Sequence, residues 1–101
     1  MDFLKRDLEE TGYEIIWGQH FTWAGEGALA MKIDVYGAVY PPTDHMPDWL
    51  AVVKFHGQSN DRHAGGAGGF LASRVFTARE PALAWLNDIQ GSFNHSRGIG
   101  G

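Results

Sequence analysis

At Tyr13 the apolar pattern of the chain changes its period, and that change constrains the fold more than any other feature. Before it, Phe3, Leu4 and Leu8 recur at helical spacing. From it, Tyr13, Ile15, Trp17, Gln19, Phe21 and Trp23 alternate with Glu14, Ile16, Gly18, His20 and Thr22, the period of a half-buried strand. Leu29 to Tyr40 repeats the alternation, with Leu29, Met31, Ile33, Val35 and Val39 on one parity and Lys32, Asp34, Tyr36 and Tyr40 on the other. Ala24-Gly25-Glu26-Gly27-Ala28 between them reads as a hairpin loop whose two glycines can take positive φ. If Trp23 and Leu29 flank that loop as partners, Phe21/Met31, Trp17/Val35 and Tyr13/Val39 follow, and every apolar odd residue lands on one face. Two such strands would extend about 36 Å, so Gly18 and Gly37 are expected to mark bends or bulges.

The remaining elements follow from local signals. Residues 2–11 form a short helix with Asp2 as N-cap and Gly12 as the residue just past its end. Its charges oppose the helix dipole, with Lys5 and Arg6 in the first turn and Glu9 and Glu10 in the last, so it must depend on docking. Pro41-Pro42 ends the second strand, Thr43 to Asp48 is a loop, and Trp49 to His56 forms a third strand with Trp49, Ala51, Val53 and Phe55 on one side. Gly57 to Gly69 reads as a long polar, glycine-rich loop with a mobile run at 65–69. Phe70 to Phe76 reads as a fourth strand of ambiguous facing, since Phe70, Ala72 and Phe76 share a side with Arg74. Thr77-Ala78-Arg79-Glu80 is a capping box, and Ala82, Trp85, Leu86 and Ile89 form an apolar stripe that ends at Gly91. The expected fold is therefore α+β in the order α-β-β-β-β-α: a four-stranded, mainly antiparallel, twisted meander with both helices on one face. Residues 1–91 make one globular domain and residues 92–101 a flexible glycine-rich tail.

Composition narrows the functional classes. The 101 residues contain no cysteine, which removes disulfide scaffolds and thiolate metal sites. A net charge of −4 argues against binding a phosphate backbone non-specifically. The charged start, Met1-Asp2-Phe3-Leu4-Lys5-Arg6, has no apolar leader segment, and no run is long enough to cross a membrane, so a cytoplasmic protein is expected. Most of the 13 aromatic residues fall on the inward parity and read as core.

No chemical motif stands out. His56 and His63, with Asp61, could supply metal ligands if the long loop folds back, but a run of flexible residues separates them and no regular spacing fixes their geometry. The glycine run at 65–69 lacks the lysine and hydroxyl residue of a phosphate-binding loop and leads into a strand. The serines lack a nucleophile-elbow context, and Asp44/Asp48 has nothing to raise a carboxylate pKa. The element order is similar to that of double-stranded RNA binding domains, yet Thr77-Ala78-Arg79-Glu80 is not the basic helix start such domains use. What remains is a solvent face of tyrosine, histidine and charge, the composition of protein interfaces. The candidate contact residues are His20, Lys32, Tyr36, Tyr40, Asp44, Asp48, His56, Asp61, Arg62 and His63.

In size, acidity, absence of cysteine and absence of a catalytic motif, the chain resembles the small phage-encoded inhibitors of bacterial defence, of which anti-CRISPR proteins are the best-known group. The absence of motifs already reads as a non-enzymatic binding protein without cofactor or metal that uses the outer sheet face and the loops at 41–48 and 57–69, and the resemblance implies its target. The chain would occlude a larger protein, a CRISPR effector complex in the narrowest form, with Asp44, Asp48 and Asp61 meeting a basic surface. A small metal-dependent or hydrolytic enzyme using the loop histidines and a nucleic-acid-binding module are the alternatives, and a homodimer through the long hairpin stays open.

Overall fold

The computed structural model describes residues 3–24, 30–59 and 66–100. The hairpin loop at 25–28 and three candidate contact residues, Asp61, Arg62 and His63, lie outside them. The elements are α1 (Phe3–Glu10), β1 (Glu14–Ala24), β2 (Ala30–Tyr40), β3 (Trp49–Ser59), β4 (Gly66–Phe76) and α2 (Arg79–Gly100). The strands form one antiparallel sheet in the order β1-β2-β3-β4, the α+β meander that the alternation predicts.

α1 ends as its sequence dictates. Gly12 takes φ 104°, its N–H donates to the Glu9 carbonyl at 3.1 Å, and the Tyr13 N–H donates to the Leu8 carbonyl at 2.9 Å. This left-handed C-terminal cap turns the chain straight into β1. Leu4 and Leu8 are buried, which contributes about 1.5–3 kcal/mol each as an upper figure. The Arg6–Glu10 pair at 3.0 Å is exposed and adds little.

The two helices do not share a face. α2 packs on the side of Trp17, Val35, Val39, Ala51 and Val53, whereas α1 packs with Tyr36, Ala38 and Val52 on the opposite side. The cause is written in Gly37-Ala38-Val39 and Ala51-Val52-Val53: the middle of β2 and β3 is apolar on both parities, as in a strand buried on both faces. A bulge completes the switch. Ile15 pairs with Ala38 and Trp17 with Gly37, so Ile16 is an extra residue that turns Tyr13 and Ile15 toward α1 and leaves Trp17 toward α2.

The register also differs from expectation. Trp23 pairs with Met31, Phe21 with Ile33 and Gln19 with Val35, a slip of two residues that preserves the faces. Gly18 and Gly37 are not the bulges. They are slots for rings: a Cβ on Gly37 would lie 2.5 Å from Cε2 of Trp17, its cross-strand partner, and a Cβ on Gly18 would enter the ring of Tyr36, its own partner. Two ring-over-glycine pairs thus clamp neighbouring ladder positions from opposite faces.

Both later strands are longer than the alternation suggests. β3 continues to Ser59 and β4 begins at Gly66, so the expected mobile glycine run is mostly strand, with Gln58 opposite Gly66 and Phe55 opposite Gly69. α2 does not stop at Gly91. It continues to Gly100, so residues 92–100 extend the helix rather than forming a separate tail, and Phe93 packs against the rings of Trp17 and Phe21. The expected stripe is in place: Ala82 and Leu86 are fully buried, with Trp85 and Ile89 beside them. The Trp17 Nε1–H donates to the Leu86 carbonyl at 2.8 Å, and Arg79 pairs with Glu14 at 2.7 Å, which ties α2 to β1 at two levels.

Candidate functional site

α2 is the longer cover for its face; the eight-residue α1 shields only one end of the other. Two ladder rows cross all four strands on the α1 face, the second of them reaching under α1 at Tyr36. One row runs His20, Asp34, His56, Gly68, and the next runs Gly18, Tyr36, Lys54, Phe70.

The first row is polar. His20 Nδ1 and Asp34 Oδ1 are 2.5 Å apart, and the His20 ring meets the Tyr36 ring edge-on at 5.9 Å between centroids. His56 is half-buried at the rim of a pocket of about 460 Å³ lined by Leu4, Asp7, Lys54, Phe55, His56, Gly68 and Gly69. Among the described residues no group of His, Asp or Glu side chains is arranged to hold a metal ion. Lys54 is fixed between an anion and a ring: its Nζ lies 3.3 Å from Asp7 Oδ2 and 5.2 Å from the centre of Phe70. The ion pair bridges α1 to β3, and the ring contact carries that bridge on to β4.

β4 is one of the sheet's two edges and carries the most apolar exposed surface among the described residues. Phe70 is 58% exposed, Leu71 52% and Val75 52%; of the four large hydrophobic residues described as exposed, only Met46 lies elsewhere. The pairing resolves the strand's facing. Val53 opposes Ala72 and Lys54 opposes Phe70, so Leu71 is a bulge residue; Ala72, Arg74 and Phe76 point to the α2 face, and Phe70, Ser73 and Val75 to the α1 face. Arg74 lies over the Phe76 ring at 5.2 Å and joins no salt bridge among the described residues.

The candidate residues named from sequence are scattered by this fold. Tyr36 is 4% exposed and belongs to the core under α1, which withdraws it from any contact surface. Tyr40 is half-buried with its ring edge-on to Tyr13 at 5.1 Å. Burial first, and Tyr40 second, push the Tyr13 phenol above its ordinary 10.0. His20 and Lys32 are exposed on the α1 face, and His56, on the same face, lines the pocket. Asp44 and Asp48 lie in the loop between β2 and β3, which closes on itself through Thr43 and Met46. That loop follows Tyr40, six residues along β2 from Asp34, or about 20 Å of strand, so these carboxylates and the histidine row do not form one site. Phe70, Leu71 and Val75 escaped the sequence reading. The signal was available, because the last strand of a meander has one neighbour, and Phe70-Leu71-Ala72 is apolar on both parities.

Comparison with protein-family models, curated proteins and solved structures returned no match. No described helix is long and apolar enough to cross a membrane.

Proposed function

We propose that this chain is a small non-enzymatic binding protein that docks a larger protein on the β4 edge and the adjoining pocket, and acts by occluding the surface it covers. One observation carries the reading: three large apolar side chains stand exposed on one edge strand beside a pocket, while the other large apolar residues of described burial, Met46 apart, are buried or half-buried. Clustered exposed apolar surface of this kind marks interaction sites, whereas singly scattered residues do not. β4 itself carries no carboxylate, and Asp44 and Asp48 lie in the loop between β2 and β3, so the docking rests on apolar contact and not on net charge. In the narrower form the partner is a protein of a CRISPR effector complex and the chain an inhibitor of it. That form rests on the resemblance in size and composition alone.

The test is site-specific photo-crosslinking in bacterial cells. A benzophenone side chain at Phe70 should give a discrete adduct with a large partner, and the same group at Asp88, exposed on α2, should not. Equal yield at both sites, or none at Phe70, removes the docking surface. For the narrower form, purified chain should suppress DNA binding or cleavage by a CRISPR effector complex; unchanged activity across effector types removes it.

A further inference from the structure

We infer that the partner enters as an extended strand that adds to the free edge of β4, with a carboxylate side chain opposite Arg74. This rests on the docking surface proposed above and specifies the chemistry of what fills it. β4 runs for 11 residues and among the described residues pairs with β3 alone, so along its outer side alternate backbone N–H and C=O groups meet no described strand. An added strand satisfies them as a ladder, and alternate side chains of the newcomer then fall on the two faces of the sheet. On the α1 face they meet Phe70 and Val75, with the pocket beside Gly68 and Gly69 next along the strand to receive an apolar side chain. A residue at the Arg74 level falls on the α2 face.

The charge pattern selects the occupant. β4 contains no carboxylate; its one charged residue, Arg74, is exposed and held over Phe76 instead of being paired with an acid. A second copy pairing β4 to β4 does not supply the missing group. In a two-fold antiparallel pairing, directly opposite residues share a face, so an axis at Arg74 opposes two guanidinium groups and an axis at Ser73 sets Arg74 against Ala72. A foreign strand with Glu or Asp between β-branched residues completes both the ladder and the ion pair.

The probes are two synthetic peptides, acetyl-Val-Thr-Val-Glu-Val-Thr-Val-amide and its counterpart with Lys for Glu, titrated into the full isotope-labelled chain. Backbone amide shifts and hydrogen exchange are read residue by residue. The Glu peptide should shift and protect alternate amides of β4 between Gly68 and Phe76 and leave β1 unchanged. The Lys peptide should bind about fivefold more weakly, and Arg74→Glu should invert that preference. Protection that rises with protein concentration without peptide assigns the edge to a second copy and overturns the inference. Equal binding of both peptides overturns the role given to Arg74. If neither peptide protects β4 while the Phe70 crosslink still captures a partner, strand addition is wrong and the docking surface stands.

Discussion

The two edges of this sheet are both strands of 11 residues with one neighbour, yet they are finished differently. β1 is fastened on both faces. Its Trp17 is buried and hydrogen-bonded into α2, its Glu14 is paired with Arg79, its His20 with Asp34, and its bulge hands Tyr13 and Ile15 to α1. Among its described side chains, those it shows to solvent are Glu14, His20 and Thr22. β4 is held to α2 by Ala72 and Phe76 on one face, but its exposed positions include Phe70, Leu71 and Val75, and its cation lies over a ring. Edges with polar or charged exteriors resist pairing with other chains, and apolar ones invite it. A chain that finishes one edge and leaves the other apolar has one side built for stability and one available for contact.

The comparison breaks most easily at the glycines. Gly18→Ala drives a Cβ into the Tyr36 ring, which is buried under α1 and has no room to move, and should cost about 1–3 kcal/mol of stability. Gly69→Ala, whose Cβ would sit 3.6 Å from Phe55 in ordinary contact, should stay within about 0.5 kcal/mol. Urea unfolding of the two variants decides it; equal losses would mean that β4 is as tightly built as β1.

A graded effect is expected with alkali. The Tyr13 phenol is raised above 10.0 because burial, and then Tyr40, disfavour its anion in the folded state. The stability that this neutral phenol contributes is fully present below the ordinary value of 10.0 and is lost as pH rises through the raised one. Thermal unfolding followed against pH should therefore show a decline beginning near pH 10 that is smaller in Tyr13→Phe. An identical decline in the variant would locate the alkaline weakness elsewhere.

The smallest effect on stability belongs to β4. Phe70→Ser with Val75→Thr should change the unfolding free energy by no more than about 0.5 kcal/mol per site while abolishing the Phe70-side contact with a partner. A large loss of stability would show that these side chains support the fold and are not offered to a partner.

How much of this was legible before any coordinates depends on which physical rule was in play. Alternation places Trp17, Val35, Val53 and Phe55 on one face because strand side chains have period 2, and the fold follows it. The same rule is blind to a slip of two, which keeps every residue on its face; what separates Trp17/Gly37 from Trp17/Val35 is the room a glycine leaves for an indole. Tyr36 reads as outward because its neighbours Lys32, Asp34 and Tyr40 are polar, yet Ala38 and Val52 beyond it make an apolar floor for α1. Polarity at one end of a strand was extended to the other. The exposed edge was missed for the reverse reason: apolar residues in β4 suggest core, and only their place at the end of the meander says that nothing covers them.

The extra residue in β1 has a further consequence for how the molecule comes apart. Ile15, Ile16 and Trp17 are consecutive, yet they supply first one apolar cluster and then the other. A sheet with helices on opposite faces has two half-cores that could melt separately, but here both are threaded by the same backbone, at this three-residue stretch as at Ala38-Val39 and Ala51-Val52-Val53. Loosening either half pulls on the other through that stretch, so the two sides form a single cooperative unit, and probes placed in α1 and in α2 should report one coincident transition.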